Sequence, residues 1–393
     1  MSKLFSLATR MQGVESSPTL RLNALAQEMI REGKDVINLT AGETDFETPA
    51  NIRAAAVKAM EAGKTRYTAP HGTPELRKAV AAWFERDFGL KYSFQQVTTT
   101  CGVKQGIFHL MLAIVGAGDE VIIPAPYWVS YPEMVRLAGG TPIILPSQSG
   151  FGLQREALKK AITKRTRLLL LNFPNNPSGA SYSKDDLEFV AELLKGTDIL
   201  VASDEIYSSL CYDGTAFHSF ASLSEDAYQR TITFNGLSKS HAMTGWRVGF
   251  AAGEIKIIEA MGILQAQSAT NITSFVQDAA IEALKQTKAE FEPRRLDMQS
   301  RRDLAVSILR GAEKLKLDTP TGAFYCFPDV SAYFNQRLPG SEAMSEYLLL
   351  EAGVATVPGK PFGDDRCIRI SFAKDKQSLE KGLGRFVAAL QKL

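Results

Sequence analysis

Short apolar runs alternate with segments of helical spacing between residues 96 and 251, and this alternation is typical of a mostly parallel sheet with helices on its faces. The predicted strands are QVTTT (96–100), EVIIP (120–124), TPIILP (141–146), RLLLLN (167–172), ILVAS (199–203), RTITF (230–234) and VGFAA (248–252). Helices are predicted between them, notably over 104–115, 153–162 and 184–194. Because ligands of such sheets bind at the carboxyl ends of the strands, the loops found there are the first places to search for chemistry.

The pattern differs on both sides of this region. Before it, the spacing predicts helices over 20–32, 49–62 and 74–87 and a short strand at 36–40. After residue 253 it predicts long helices over 255–267, 274–287 and 290–315, strands near 322–328, 353–357 and 367–373, and a last helix over 376–393.

A chain of 393 residues is too long for one ordinary compact core. We therefore predict an α/β protein in three parts. These are an N-terminal arm (1–20), a large domain (49–288) with a mostly parallel seven-stranded sheet flanked by helices, and a smaller α+β domain (21–48 with 289–393).

Composition and charge narrow the class of protein. Apolar residues make up 45% of the chain and charged residues 22%, as in soluble globular proteins. The formal net charge of +2 comes without a basic stripe, which gives no support for nucleic acid as a partner, and no apolar run approaches the ~20 residues of a membrane helix. The four cysteines are far apart and form no CxxC pair, so neither a disulfide framework nor a zinc site is indicated, and a reducing compartment, the cytoplasm, is expected.

The stretch NGLSKSHAMTGWRVGF (235–250) follows a predicted strand and carries a lysine and an arginine. Desolvation and a neighbouring positive charge both disfavour the ammonium form, so Lys239 in a partly buried loop would become a nucleophile for carbonyl compounds. Arg247 suits a phosphate group because its guanidinium is planar, permanently charged and able to bond bidentately. Taken alone, Lys239 would usually be an ordinary surface charge, but its place after a strand, in Ser238-Lys239 followed by TGWRVGF, argues against that interpretation.

Three earlier loops, each following a predicted strand, carry residues that suit other parts of a phosphorylated aromatic aldehyde. CGVKQG (101–106) precedes helical spacing, and the free N–H groups and dipole of a helix N-terminus favour a phosphate. PAPYWVSYPEM contains Trp128, which either stacks on a flat ring or belongs to the core. FPNNPSG contains Asn176, an amide donor in what is otherwise a rigid turn.

The run ILVASDEIY (199–207) gives the sharpest signal. A strand this apolar is buried, so Asp204 and Glu205 at its end need a partner that offsets their desolvation. A protonated pyridine nitrogen is one such partner, and Tyr207 could then hydrogen-bond the phenolic oxygen of the same ring. The alternative is a structural role, with Asp204 as the N-cap of a helix.

Taken together, these residues make the chain resemble the class I and II aminotransferases of the pyridoxal-phosphate fold type I superfamily, and within them the bacterial aspartate/prephenate aminotransferase subgroup. The resemblance covers essentially the whole length. Its motifs are LTAGETDF, GKTRYTAPHGTPELR, GVKQGIF, PYWVSYPEM, PNNPSGA, SDEIY, GLSKSHAMTGWRVGF, GAFY, GVATVPG and IRISFA. It implies a pyridoxal 5′-phosphate (PLP) cofactor, no metal, and a homodimer with shared active sites.

The resemblance also implies a role for each matched residue. Lys239 would bind the cofactor's aldehyde covalently and, once freed, move a proton between the substrate's α carbon and the cofactor's C4′. Asp204 would pair with the pyridine nitrogen. The remaining cofactor contacts would come from Tyr207 and Asn176 at the phenolic oxygen, Trp128 on the ring face, and Gly102, Val103, Lys104, Arg247 and, from the neighbouring subunit, Tyr67 at the phosphate.

The same comparison implies how a substrate is held. Arg369 would grip the α-carboxylate bidentately, helped by the backbone of Gly42. The side chains that complete the substrate site would be Trp128, Asn176, Lys104 and Thr19, of which Lys104 and Thr19 help to recognise the distal carboxylate of acidic substrates.

Two positions depart from the family pattern. Many relatives have a hydroxyl residue three positions before the lysine to bind phosphate, but here that position is Gly236, so Ser238 or water would substitute. The subgroup has an N-terminal lysine near the distal carboxylate, and the aligned residue here is Glu15.

The reaction implied is ping-pong transamination between an L-amino acid and a 2-oxo acid. Aspartate or glutamate with 2-oxoglutarate or oxaloacetate are the preferred pairs, and aromatic or prephenate-derived substrates are further candidates. Two alternatives stay open. One is a PLP-dependent C–S lyase acting by β-elimination, because the same lysine and ring serve that reaction, and the other is a non-catalytic regulator built on the same fold.

Overall fold

The computed structural model describes residues 8–11 and 18–393 of the chain. Its α-helices are α1 (Pro18–Arg31), α2 (Ala50–Glu61), α3 (Pro74–Phe88), α4 (Val103–Ile114), α5 (Ser130–Leu137), α6 (Arg155–Ala161), α7 (Lys184–Leu194), α8 (Glu225–Arg230), α9 (Ile255–Ser268), α10 (Ser274–Leu284), α11 (Lys288–Leu309), α12 (Ser341–Ala352) and α13 (Lys376–Leu390). Its strands are β1 (Ile37–Asn38), β2 (Val97–Thr100), β3 (Glu120–Pro124), β4 (Thr141–Leu145), β5 (Thr166–Asn172), β6 (Leu200–Asp204), β7 (Thr231–Gly236), β8 (Gly249–Ala252), β9 (Tyr325–Cys326), β10 (Val354–Ala355), β11 (Val357–Pro358) and β12 (Ile368–Ser371).

A seven-stranded sheet organises the middle of the chain, in the order β2-β8-β7-β6-β5-β3-β4. Strands β3 to β7 pair in parallel, and β8 is antiparallel to both of its neighbours. The seven strands predicted from the apolar runs are all present, so the prediction of an α/β fold with a mostly parallel sheet is confirmed.

Helices cover both faces of this sheet, which explains why its strands read as nearly continuous apolar runs. Leu168 of β5 packs in one hydrophobic core with Ile107 of α4, whereas its neighbour Leu169 packs in another with Leu187 of α7. Successive side chains of a strand point to opposite faces, so one apolar run supplies both cores. The sheet is therefore buried on both faces, and its strand ends are where polar groups reach a cavity.

Four strand ends that carry predicted site residues lie at one edge of the sheet. Strands β5 and β6 end at Asn172 and Asp204, and β7 ends at Gly236, shortly before Lys239. Strand β2 runs in the direction of β7 because both are antiparallel to β8, so the loop at Gly102 reaches the same edge.

Two small sheets are built from the ends of the chain. Strand β1 pairs in parallel with β10, and β12 pairs antiparallel with β11 and β9. The pairing of β12 with β9 sets Ser371 opposite Tyr325. These strands come from 37–38 and 325–371, and the division of the chain into domains stays a prediction.

Several sequence predictions were wrong at their ends. The helix predicted over 290–315 ends at Leu309, where the N–H of Gly311 bonds to the carbonyl of Ile308 and the chain turns. The helix predicted over 376–393 ends at Leu390, and the strand predicted over 36–40 covers Ile37–Asn38 only. Helix α12 was not predicted, because its apolar residues show little one-sided spacing.

Candidate active site

A cavity of about 470 Å³ opens at the carboxyl ends of β5, β6 and β7. Twelve of the fourteen predicted site residues line it: Gly42, Gly102, Val103, Lys104, Trp128, Asn176, Asp204, Tyr207, Ser238, Lys239, Arg247 and Arg369. They come from both ends and the middle of the chain, so the fold gathers into one place what the sequence spreads over more than three hundred residues.

Two predicted site residues are not in this lining. Tyr67 is 86% exposed and lies on the surface beside Asn271 and Ser274. Thr19 lies in the first turn of α1, but its side chain is outside the described part of the chain, as is the whole of Glu15.

Lys239 lines the cavity and is largely removed from solvent. Its Nζ donates a hydrogen bond of 2.5 Å to the carbonyl oxygen of Gly42 and lies 5.9 Å from the ring centroid of Phe324. Burial lowers the pKa of the Lys239 amine from 10.5 to about 8, with the Arg369 and Arg247 charges acting in the same direction and Glu43 opposing them. The amine is thus partly neutral near neutral pH, as a nucleophile or base must be.

Asp204 ends strand β6 inside the cavity. Its Oδ2 accepts a 2.6 Å hydrogen bond from the hydroxyl of Tyr131, and its Oδ1 accepts one of 3.2 Å from the N–H of Ile206. Burial raises the pKa of the Asp204 carboxyl to about 6, while these two hydrogen bonds act against the rise. The residues that follow form a turn, so the alternative of an N-cap to a helix is wrong.

Glu205 does not belong to the cavity, although the sequence set it beside Asp204. Its Oε1 accepts hydrogen bonds of 2.8 Å from the hydroxyls of Ser203 and Ser219. Burial raises the pKa of the Glu205 carboxyl to about 7. The two adjacent acids therefore point to opposite sides of the strand end, and of the two only Asp204 faces the cavity.

The loop before α4 and the loop after Lys239 meet at the other end of the cavity. Gly102 caps α4 with a positive φ of 79°, and a Cβ at that position would lie 2.7 Å from Nη2 of Arg247. The Arg247 guanidinium donates to the carbonyls of Thr244 at 2.9 Å and Cys101 at 3.0 Å. A helix N-terminus and a guanidinium at one place form a site for an anion such as phosphate.

Gly236, at the end of β7, is closely packed. A Cβ there would lie 3.1 Å from Cα of Gly249 and 3.2 Å from the carbonyl oxygen of Val248, closer than side chains ordinarily approach. Ser238, two residues further on, lines the cavity and offers a hydroxyl there, as does Thr244 of the same loop.

Arg369, on β12, is buried and lines the cavity. Its Nη1 donates to Oδ1 of Asn176 at 2.9 Å and its Nη2 to the carbonyl of Thr40 at 2.8 Å. Its Nε is buried without a hydrogen-bond partner in the described part of the chain. A buried guanidinium with donors to spare is a site for a carboxylate.

Trp128 is half-buried and carries a cation on its face. Nζ of Lys104 lies 5.2 Å from its ring centroid, and its ring meets that of Tyr131 edge-on at 5.4 Å. Burial, and then the Arg247 charge, lower the pKa of the Lys104 amine. The indole is thus fixed in place as one wall of the cavity.

Charge distinguishes this cavity from an ordinary cleft. Lys104, Lys239, Arg247 and Arg369 line it together with two acids, Asp204 and Glu43. In the described residues, Lys239, Arg247 and Arg369 bond to carbonyl and amide oxygens rather than to carboxylates. Their charges are left for anionic ligands.

Sequence reasoning gave no role to several residues of the lining, among them Tyr131, Glu43 and Tyr325. Tyr131 lies in PAPYWVSYPEM, three residues after Trp128, Glu43 lies in the LTAGETDF motif, and Tyr325 lies in GAFY. The structure puts all three in the lining, where Oε2 of Glu43 accepts a 2.6 Å bond from Oγ1 of Thr244. The available signal was motif membership, because nothing in their spacing points to a ligand.

Within the described ranges, no cluster of three or more His, Cys, Asp or Glu side chains could hold a metal ion. Over the same ranges, no helix has the length and apolar character that crossing a membrane requires.

Comparison with known proteins defines the class. The sequence model of the family described as aminotransferase class I and II matches residues 34–386. The chain is 43% identical over 391 residues to the aspartate/prephenate aminotransferase of Cereibacter sphaeroides, covering 97% of this chain and 98% of that one. It is 42% identical over 384 residues to the aspartate aminotransferase of a Bacillus species, covering 96% and 97%. The protein therefore belongs to the class I and II aminotransferases.

Solved structures agree with this assignment. The aspartate aminotransferase of Rhizobium meliloti matches with a TM-score of 0.95 at 40% identity, covering 99% of this chain and all of that one. That of Thermus thermophilus with maleate matches with a TM-score of 0.93 at 42% identity, covering 98% and 100%. Enzymes of this family generally depend on PLP.

Proposed function

We propose that the protein uses PLP to move an amino group between an acidic L-amino acid and a 2-oxo acid in two half-reactions. The observation that carries the proposal is that one cavity holds the amine of Lys239, whose pKa is lowered to about 8, and the guanidinium of Arg369, which has donors to spare. The amine suits a carbonyl carbon, and the guanidinium suits the carboxylate that amino acids and 2-oxo acids carry beside that carbon.

The residues of the cavity fit PLP. Asp204 is a buried carboxylate whose hydrogen bonds come from a hydroxyl and a backbone N–H, so it lacks a contacting cation in the described chain. A protonated pyridine nitrogen would supply that cation. At the other end, Gly102, the N–H of Val103 and the guanidinium of Arg247 fit a phosphate, with Ser238 close by.

The remaining contacts would fix the ring. Trp128 would cover one face, and Tyr207 and Asn176 would donate to the phenolic oxygen. Asn176 receives a bond from Arg369 at its Oδ1, which leaves its amide nitrogen available for a second acceptor. Burial raises the pKa of the Tyr207 hydroxyl well above its usual range, so it stays a donor at neutral pH.

When bound, PLP supplies an aldehyde that condenses with amines and a ring that withdraws electrons from the substrate's α carbon. Lys239 would hold the cofactor until the substrate amine displaces it. Its freed Nζ would then take the proton from the substrate's α carbon, and the lowered pKa leaves part of the amine neutral for that step. The carbonyl of Gly42, which accepts a hydrogen bond from Nζ, would orient the amine between these tasks.

The substrate class follows from the relatives and from Lys104. The relatives named above are called aspartate or aspartate/prephenate aminotransferases. Lys104 adds a cation at the Trp128 wall, where a second carboxylate of aspartate or glutamate could bind. The predicted contributions of Thr19 and Glu15 to this preference stay predictions.

The assembly and location are proposals of the same kind. A homodimer would explain why Tyr67, matched to a cofactor contact of the family, is 86% exposed and away from the cavity of its own chain. We further propose the division into an arm (1–20), a large domain (49–288) and a small domain (21–48 with 289–393), and a cytoplasmic location.

Half-reactions test the proposed function. L-Aspartate added to PLP-loaded protein should abolish the visible absorbance of the bound cofactor, and 2-oxoglutarate should restore it. Lys239→Ala should lower transamination by at least about 10²-fold to 10⁴-fold, the usual contribution of a general base, while the cofactor still binds. Lys256→Ala, which removes an exposed lysine of α9, is the control.

Two results would contradict the proposal. One is near-normal transamination by Lys239→Ala. The other is release of pyruvate and ammonia from cysteine-type substrates without any amino acceptor, which would identify the C–S lyase instead. Failure of every amino acid to change the absorbance of the bound cofactor would favour the non-catalytic regulator.

A further inference from the structure

The GAFY motif is matched in the family comparison, yet the proposed function gives Tyr325 no task. This residue is fully buried at the start of β9 and lines the cavity. The β9 and β12 register sets it opposite Ser371. Alternate residues of a strand share a face, so Arg369 lies on the same face as Tyr325 and diagonal to it.

The aromatic ring of Tyr325 supports the guanidinium of Arg369. The guanidinium carbon lies 4.6 Å from the Tyr325 ring centroid and 5.1 Å from that of Phe362. Two ring faces hold the plane of the guanidinium while its edge bonds to Asn176 and to the carbonyl of Thr40. The rings thereby set the direction in which the remaining N–H groups meet a carboxylate.

The hydroxyl of Tyr325 serves a different neighbour. It lies 3.1 Å from the hydroxyl of Tyr207, and in the described chain this is the hydrogen bond that each of the two makes. Only one of them donates in that bond. If Tyr325 donates, the hydrogen of Tyr207 is released to point at another acceptor in the cavity.

Burial keeps both hydroxyls protonated, because it raises the pKa of Tyr207 and of Tyr325 above the ordinary value of a tyrosine. The Tyr325 hydroxyl also lies close to Gly42, since a Cβ added at Gly42 would be 3.5 Å from it. The carbonyl of Gly42 accepts the hydrogen bond from Nζ of Lys239. Tyr325 therefore lies next to Tyr207, next to Arg369, and near Gly42, the hydrogen-bond partner of Lys239.

We propose that Tyr325 is a positioning residue that couples the two sides of the site, its ring holding Arg369 for the substrate carboxylate and its hydroxyl directing the O–H of Tyr207 to the cofactor. The inference rests on the proposed function for the tasks of Arg369 and Tyr207. It assigns separate parts of one side chain to separate tasks, so substitutions can separate them.

The experiment uses the PLP-loaded full chain and three substitutions. Tyr325→Phe removes the hydroxyl and keeps the ring, Tyr325→Leu removes both, and Phe362→Leu removes the second ring without touching a hydroxyl. Two quantities are measured: the dissociation constant of maleate, an unreactive dicarboxylate, and the pH midpoint of the bound cofactor's visible absorbance. Tyr333→Phe is the matched control, since the buried Tyr333 hydroxyl accepts a 3.1 Å bond from the N–H of Lys314 away from the cavity.

The expected results differ for each variant. Tyr325→Phe should raise the absorbance midpoint by roughly a few tenths of a pH unit, because Tyr207 loses the bond that orients and polarises its hydroxyl and so donates more weakly to the phenolic oxygen, whose deprotonated form that donor favours. Its affinity for maleate should change less than about twofold, since the ring remains under Arg369. Phe362→Leu and Tyr325→Leu should weaken maleate binding by about tenfold, the scale of a desolvated cation–π contact, and only Tyr325→Leu should also move the midpoint.

The proposal is overturned if Tyr325→Phe leaves the midpoint where it is in Tyr333→Phe. It is equally overturned if Phe362→Leu and Tyr325→Leu bind maleate as the unsubstituted protein does. Tyr325→Phe and Phe362→Leu make small changes. If Tyr325→Leu fails to fold, Tyr325→Phe still tests the task of the hydroxyl and Phe362→Leu still tests the support of Arg369 by aromatic rings. One readout is a binding constant and the other is an absorbance titration. Both stay valid in a protein that transfers no amino group, which keeps this result separate from the test of the proposed function.

Discussion

The hydroxyl of Tyr131 donates a hydrogen bond of 2.6 Å to Oδ2 of Asp204, and both side chains are buried. This contact joins α5 to the end of β6 across 73 residues of sequence. It lowers the pKa of a carboxyl that burial raises to about 6. Tyr131 therefore helps Asp204 to stay ionised where a cationic ring nitrogen is proposed to bind.

Replacing Tyr131 should weaken cofactor binding. Tyr131→Phe should raise the pKa of Asp204 and increase the dissociation constant of PLP about tenfold, because hydrogen bonds to charged groups contribute on the order of 1.5 to 3 kcal/mol. Titration of the apoprotein with PLP, followed by absorbance, measures the effect. Tyr347→Phe, which removes a bond from a tyrosine to the carbonyl of Ala389, should bind PLP normally. An unchanged constant in Tyr131→Phe would show that Asp204 does not depend on this donor.

Attachment of PLP to the apoprotein should depend on pH through Lys239. The pKa of its amine is lowered from 10.5 to about 8, first by burial, and Glu43 is the charge that most opposes this. Only the neutral amine attacks an aldehyde, so the rate of attachment should rise with pH and level off above about 8.

Glu43→Gln should move that midpoint to lower pH, because losing a negative charge favours the neutral amine. Stopped-flow absorbance at a series of pH values gives the midpoint. Glu47→Gln, which alters an exposed acid paired with Arg53, is the control. A midpoint that stays fixed or rises in Glu43→Gln would remove Glu43 from the electrostatics of the site.

The geometry of Arg369, beyond its charge, should matter for substrate. Arg369→Lys keeps the charge but loses the planar fork that bonds to Asn176 and to the carbonyl of Thr40. We expect kcat/KM for aspartate to fall about 10-fold to 100-fold, the scale of one charge-assisted hydrogen bond, mainly through KM. Steady-state kinetics with Arg366→Lys as control, an arginine paired with Asp364, tests this. Equal losses in both variants would count against a specific role for Arg369.

Close packing at Gly249 should be essential for the proposed phosphate site. A Cβ there would lie 2.4 Å from the N of Val103 and 2.6 Å from the carbonyl carbon of Gly102, and this backbone cannot rotate away. Gly249→Ala should displace the start of α4, weaken PLP binding and lower stability by about 1 to 3 kcal/mol, the usual cost of overpacking. Thermal unfolding and PLP titration measure both effects. Gly245→Ala is the control because a Cβ at Gly245 meets nothing within 4 Å, and similar behaviour of the two variants would contradict the prediction.

The sequence by itself determined the seven strands of the sheet and the residues at their ends. Strands buried on both faces are mostly apolar, and the polar residues that reach the cavity, such as Asp204 and Asn176, lie where a strand stops or just beyond it. Local pattern therefore identifies which residues reach the edge of the sheet. The same local pattern predicted too long a helix before residue 315, because helical spacing continues past Leu309, where the helix ends and the chain turns.

Only the tertiary structure decided which of these residues meet. The bond from Lys239 to Gly42 spans 197 residues and that from Arg369 to Asn176 spans 193, and neither separation leaves a trace in local spacing. Local spacing likewise gives no sign of the bond from Tyr131 to Asp204 or of the contact between the Tyr325 ring and Arg369. Helix packing brings the first pair together, and strand register brings the second. Periodicity reports how each residue is buried along its own element, whereas contacts between elements depend on the order and register in which the strands and helices assemble.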